Sequence, residues 1–213
     1  MWFKKNRVVF AILFIHFKVN KAHDFNNVWV WYKQALFTRP LITKSLTSCG
    51  INAFSDALCQ QLAFTKVKKT EGVEKFDTER FVHAAVTGLV WSGPVTHYWY
   101  QMLFGKLVTF KDPIFSLGAQ IFLDAMIFSP VTVSGYFVVR SILEGGSINA
   151  IWDKLSTRLV AVVLGAWKFW PAANVINFMY VPIQFRVLYM NVLSVFWSAY
   201  LAFMNAKKII VKK

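Results

Sequence analysis

The chain alternates long apolar stretches with short basic ones, and the polar residues inside the apolar stretches recur at helical spacing. Between Leu41 and Phe64, the residues Ser45, Ser48, Asn52, Asp56 and Gln60 return every three or four positions. That places them on one face of a helix, with Phe54, Leu58 and Leu62 on another. The stretch Phe81–Phe104 contains no Asp, Glu, Lys or Arg, and its Ala84, Gly88, Ser92 and Thr96 align at i, i+4. Small residues at that spacing let two helices approach closely in lipid. Pro94, after Gly93, predicts a kink. In Ile114–Val139 the stripe Ser116, Gln120, Asp124 repeats the pattern, and Pro130 predicts a break or bend. Val187–Met204 is charge-free. Leu159–Trp167 is apolar but short, and it reads either as an interfacial segment or as part of a tilted crossing. Ser141–Ser147, with Glu-Gly-Gly, reads as a turn.

The pattern predicts an all-α integral membrane bundle with about four transmembrane helices. Residues 1–28 form a basic extension with the character of a targeting segment. Residues 29–206 form the membrane domain, and 207–213 a basic tail. Trp99, Trp167 and Trp170 are expected at headgroup level, where indole rings favour the interface.

Composition sharpens this. Of 213 residues, 56% are hydrophobic and 16% charged, against about 45–50% and 25% in soluble domains. A chain of this length cannot hide that excess in one core. A disordered chain is excluded, and a soluble enzyme is disfavoured. The net charge of +14 would suit nucleic acid, but the charges are segregated. They crowd the ends (Lys4, Lys5, Arg7, Lys18, Lys21; Lys207, Lys208, Lys212, Lys213) and the loop Lys66–Arg80. Loops flanking membrane spans have this distribution, so a lipid bilayer is the expected partner and nucleic acid is not. Val8–Phe17 is too short to span and has no small-x-small cleavage site after it, so it reads as an uncleaved basic anchor or targeting segment. Cys49 and Cys59 on one helix would stand about 15 Å apart, beyond the ~7 Å that a disulfide allows.

Asp56 and Asp124 carry the chemistry. A carboxylate at mid-membrane costs about 2.5–3.5 kcal/mol on insertion scales, so it faces a partner or a wet cavity. Each has an amide at i±4, Gln60 and Gln120 respectively. Two readings stand level: a hydrophilic lumen lined by the first and third spans, or an interhelical clamp completed by Lys44, Lys168 or Arg186. His83 and His97 lack the further ligands a metal needs and read as helix–helix hydrogen-bonding groups. Asn174, Asn177 and Arg186, beside Pro171 and Pro182, read more readily as partners for backbone groups freed by proline than as a vestibule. No phosphate loop, G-x-S-x-G or H-E-x-x-H occurs. Neither catalysis nor a metal or cofactor is expected.

Several of these residues recur in one family. Trp170-Pro171-x-x-Asn174-x-x-Asn177-Phe178, then Val181-Pro182 and Arg186, then Trp197-x-x-Tyr200-Leu201, resembles the C-terminal signature of the Mpv-seventeen and peroxisomal membrane protein two family of small organelle membrane proteins. Gly93-Pro94-x-x-His97-x-Trp99-Tyr100 is similar to its second motif. Tyr32, Leu36, Pro40, Thr43 and Lys44 resemble its first, followed by Asp56-x-x-x-Gln60-Gln61. Asp77 and Arg80 match the loop before the second span. The resemblance covers residues 29–204. It departs at Ala125, where the family often has glutamine after the aspartate, and at Ser55, where it has glycine. The resemblance implies a four-span protein of the inner mitochondrial or peroxisomal membrane. It also implies poorly selective conduction of small solutes or metabolites, and for mitochondrial members a link to mitochondrial DNA maintenance and homeostasis.

The leading expectation is therefore a solute-conducting pore of the mitochondrial inner membrane, lined by Asp56, Gln60, Gln120 and Asp124. Four helices enclose little space, so a homo-oligomer is expected, with Ala84, Gly88 and Ser92 as its contact. The rival is a non-conducting scaffold, and the alternative location is the peroxisomal membrane.

Overall fold

The computed structural model describes residues 26–67, 76–108 and 110–211, with side chains described outside 63–67 and 200–211. The N-terminal run Val8–Phe17 and most of the loop Lys66–Arg80 lie outside the described residues. All regular structure among the described residues is helical. Contacts divide the chain between Thr43 and Lys44 into two units.

In the first unit, helix α1 covers 26–38. Trp29 stacks on Tyr32 with ring centroids 5.9 Å apart. The Thr43 hydroxyl donates to the carbonyls of Ala35 and Arg39, at 3.0 and 2.8 Å. Helix α2, Pro40–Val67, begins here.

In the second unit, α3 (Thr78–Thr87) opens on an N-cap: Asp77 accepts the Arg80 N–H at 2.8 Å. It continues through a π turn, Gly88–Ser92, into α4 (Gly93–Met102), which ends in a second π turn, Leu103–Leu107. Helix α5 (Pro113–Leu123) is capped by Asp112 and passes through the π turn Asp124–Phe128 into α6 (Ser129–Leu143). Helix α7 is Ile148–Ala166, α8 Trp170–Tyr180 and α9 Arg186–Val211. The Glu-Gly-Gly turn is shorter than the sequence suggests, because α6 runs on to Leu143; Gly145 takes φ +69°, the left-handed conformation that glycine adopts at helix ends.

The two prolines act alike. Pro94 and Pro130 each stand two residues after a π turn, Gly88–Ser92 and Asp124–Phe128. Proline lacks an N–H, and its ring crowds the carbonyl four residues back. One widened turn relieves both faults while the helix continues. The first π turn also carries the Gly93 N–H to the Gly88 carbonyl, which aligns the two glycines towards α2. A Cβ on Gly88 would overlap the Ser48 carbonyl, and one on Gly93 would meet the Ser45 backbone. α2 of the same chain thus lies directly against Gly88 and Gly93.

The polar stripe of α2 faces inward: Ser45, Ser48, Ser55 and Gln60 are buried, whereas Leu46 and Phe54 are exposed. On α5–α6 the exposed residues are apolar, among them Ile114, Phe115, Phe122, Ile127 and Val131. Pro113–Leu143, 31 residues, is the one helix among the described residues long and apolar enough to cross a membrane. Ile148–Ala166 and Trp170–Tyr180 pass that test only as a pair bent by 54°. The sequence expectation of four spans is met in this sense by one, or by two with the bent pair. In α2 the polar stripe dilutes the apolar content, and in α4 the run His97–Gln101 does.

Candidate functional site

The core of the second unit is aromatic: Trp99, Tyr100, Leu103, Val108, Phe128, Phe178 and Val187 pack together. Trp99 stacks flat on Phe128 at 5.0 Å between centroids, and Tyr100 meets Phe178 edge-on at 5.9 Å. Into this core the π turn of α5–α6 delivers Asp124, which is 4% exposed. Its carboxylate accepts the Trp99 indole N–H at 3.0 Å and the Asn174 amide at 2.6 Å. Because a carboxylate only accepts, the Asn174 nitrogen must face it. That leaves the Asn174 Oδ1 buried without a partner. No ion pair to Asp124 is formed among the described residues.

Trp99 is therefore not the interfacial anchor expected from the sequence. It is 8% exposed, with its one donor engaged by Asp124. The neighbouring Tyr98 is the residue that faces outward. Trp167 donates to the Ala125 carbonyl at 3.0 Å and lies half-buried.

Asp56 belongs to a separate network. It pairs with Arg80 at 2.8 Å and accepts the Gln60 amide at 2.8 Å. Gln60 also bonds both backbone groups of Asp77, receiving the N–H at 2.8 Å and donating to the carbonyl at 3.0 Å. The clamp partners weighed from the sequence, Lys44, Lys168 and Arg186, form no ion pair with either carboxylate. Arg80 takes that role because the Asp77 cap starts α3 beside the end of α2. Gln120 is half-buried on α5. The structure thus does not gather Asp56, Gln60, Gln120 and Asp124 around one group of partners.

The motif residues do come together. His97 Nδ1 lies 3.3 Å from the buried Lys44 ammonium. Its other ring nitrogen, Nε2, lies 3.4 Å from the Gln101 amide nitrogen. His83 instead sits 3.9 Å from Glu79 on its own helix. Asn177 donates to the Tyr100 hydroxyl at 3.3 Å. Arg186 lies over the Phe104 ring at 3.6 Å and donates to the carbonyls of Val181 and Phe178, at 3.0 and 3.2 Å. It closes the C-terminal end of α8 before the turn at Pro182. Trp197 stacks on Phe169 at 5.1 Å and packs near Trp170, bracing the break between α7 and α8.

A cavity of about 440 Å³ opens beside Asp124. Asp124, Asn174, Asn52, Asn191, Ser92, Thr96, Ser129, Thr132 and Ser194 supply its polar wall; Trp91, Phe128, Tyr136, Phe137, Trp167 and Trp170 supply its aromatic one. Asp56, Gln60 and Gln120 do not line it. Sequence reading missed Asn191, which is buried and donates to Ser48 at 2.7 Å. The signal was present: a lone amide in the otherwise apolar span Val187–Met204. Cys49 and Cys59 are both free. No cluster of metal-ligating side chains occurs among the described residues.

Comparison with known proteins follows this interior. The model of the Mpv17 / PMP22 family matches residues 141–202. PXMP2/4 family protein 3 of Dictyostelium discoideum is 33% identical over 85% of this chain and 92% of its own length. PXMP2/4 family protein 2 of the same organism is 30% identical, again over 85% and 92%. Peroxisomal membrane protein 2 of Bos taurus is 32% identical over 80% and 86%. No solved structure matches the chain. With near full-length similarity to these relatives, and with the Trp170-Pro171-x-x-Asn174 and Gly93-Pro94 motifs meeting at one buried carboxylate, the chain belongs to the Mpv17 / PMP22 family.

Proposed function

We propose that this protein is a non-enzymatic, four-span helical channel of an organelle membrane that conducts small solutes. The four crossings are α2, α3–α4, α5–α6 and α9, with the bent α7–α8 pair as an interfacial or re-entrant element beside α9. The observation that carries the reading is the cavity beside Asp124: polar side chains line a space inside a bundle whose outer surface is apolar. The lining is revised accordingly to Asp124, Asn174, Asn52 and Asn191. Asp56 and Gln60, tied to Arg80 and Asp77, stand at the end of the bundle as an electrostatic rim. A carboxylate in a pore lining favours cations.

The basic N-terminal region favours the mitochondrial inner membrane, and the bovine relative's name favours the peroxisomal one. Fractionation of tagged full-length protein decides between them. In the mitochondrial case, the role includes mitochondrial homeostasis and DNA maintenance, tested by DNA copy number after depletion.

A second reading, a non-conducting scaffold, is favoured by the bonds that tie Trp99 and Asn174 to Asp124 and Asn177 to Tyr100. Purified protein in a planar bilayer, wild type beside Asp124→Asn, separates the two. Discrete conductance whose cation preference falls in the variant supports the channel. Silence from folded protein across voltage, pH and redox conditions overturns it.

A further inference from the structure

The cavity beside Asp124 has an unusual balance of hydrogen-bonding groups. No Lys, Arg or His lines it among the described residues. Its donors are largely engaged by the protein itself: Trp91 donates to the Thr132 carbonyl at 3.2 Å and Trp167 to the Ala125 carbonyl at 3.0 Å. The Thr132 hydroxyl donates to Phe128 and the Ser194 hydroxyl to Asn191, both to backbone carbonyls. The Thr96, Ser129 and Tyr136 hydroxyls and the Trp170 indole N–H remain as neutral polar groups, and Asp124 is the acid of the lining. Asp124 has only two neutral donors for a buried carboxylate, and Asn174 Oδ1 is a buried acceptor with no partner. A buried charge without a counter-ion is unfavourable, and so is an orphaned carbonyl. A guest that carries positive charge supplies the missing counter-ion.

The rest of the wall suits the same guest. Trp91, Trp167 and Trp170 stand around the space with Phe128. Aromatic faces attract cations held within about 6 Å, and boxes of such rings recognise alkylammonium groups. An inorganic cation keeps a tight hydration shell and gains little from indole faces, whereas an alkylammonium is weakly hydrated and apolar at its rim. The volume of about 440 Å³ admits a small organic molecule rather than a bare ion.

We propose that the cavity is a binding site for small organic ammonium compounds, with Asp124 as counter-ion and the tryptophans as a cage. This deepens the channel reading by naming its solute class, and it rests on that cavity being the solute site.

The test is binding to full-length protein in detergent, which does not involve conduction. The probe is choline, beside its uncharged isostere 3,3-dimethylbutan-1-ol, read by thermal unfolding and tryptophan fluorescence. Choline is expected to raise the unfolding temperature saturably, and the isostere is not. Asp124→Asn is expected to weaken choline binding at least about tenfold, as loss of a desolvated charge partner does. Should Asp124→Asn fail to fold, Ser194→Phe decides: it fills the cavity, leaves the Asp124 bonds in place, and is expected to abolish the choline effect. Equal responses to choline and isostere, no response from folded wild type, or a choline effect that survives Ser194→Phe would overturn the assignment. Choline binding without conductance sinks the channel and leaves the site; conductance without choline binding does the reverse.

Discussion

Asn174 donates its amide to Asp124 at 2.6 Å across 50 positions of sequence. The bond ties the start of α8 to the π turn at the centre of α5–α6, and Trp99 of α4 completes it from the other side. Three helical segments therefore share one carboxylate. A buried acceptor left without its donor costs about 1–3 kcal/mol. Trp99→Phe and Asn174→Ala are each expected to lose about that much in detergent unfolding. Because both act through Asp124, their double variant should lose less than the sum. Strict additivity would show that the two bonds are independent.

Gly88 and Gly118 are both helical glycines, yet opposite outcomes are expected. At Gly88 a Cβ would overlap the Ser48 carbonyl, whereas at Gly118 nothing lies nearby. Gly118→Ala should gain about 0.5–1 kcal/mol from helix propensity. Gly88→Leu must push α2 away and should fail to give a stable monodisperse protein. Equal melting of Gly88→Leu and wild type would refute the α2–α3 packing.

Much of this arrangement can be read from spacing. The i, i+4 pairing of Asp56 with Gln60 and the small-residue face at Gly88 follow from helical periodicity alone. The prolines signal a disturbance in their helices, but not that a π turn would absorb it. What spacing cannot supply is the meeting of Trp99, Asp124 and Asn174, which depends on how separate helices cross. Arg80 escaped because it lies beyond the loop after α2, outside any span, and only the Asp77 cap brings it back to Asp56. Trp99 was misplaced because an indole near a helix end satisfies an interfacial pattern and a buried one equally well.

Glu144 sits in the turn after α6, where Arg140 and Lys154 each reach it at 3.0 Å. Partial burial raises its pKa, but the hydrogen bonds from Lys154 and Arg140 and their charges outweigh this, and the net shift is downward from 4.5. A carboxyl with a depressed folded pKa stabilises the protein above its unfolded value. That contribution fades as pH falls through the folded value. Wild type should therefore lose stability on acidification below about pH 4.5 more steeply than Glu144→Gln. Melting curves of the two proteins over that interval check it, and parallel pH profiles would assign the turn no share in acid sensitivity.

Arg186 is 8% exposed, and its guanidinium does two things at once. Nε and Nη2 donate to the carbonyls of Val181 and Phe178, and the plane lies 3.6 Å from the centroid of the Phe104 ring. The last carbonyls of a helix need such donors when they are buried. Lysine carries its three donors on one nitrogen and has no plane, so it cannot reproduce the fork to two carbonyls and also loses the stacked face. Arg186→Lys is expected to lose about 1–3 kcal/mol although the charge is kept. The loss should be local, opening the Val181–Phe185 turn between α8 and α9. Limited proteolysis reads this directly: the variant should be cut in that turn under conditions where wild type is not. An Arg186→Lys protein that melts like wild type and resists cleavage there would mean that charge alone, rather than the two-carbonyl cap, holds the junction.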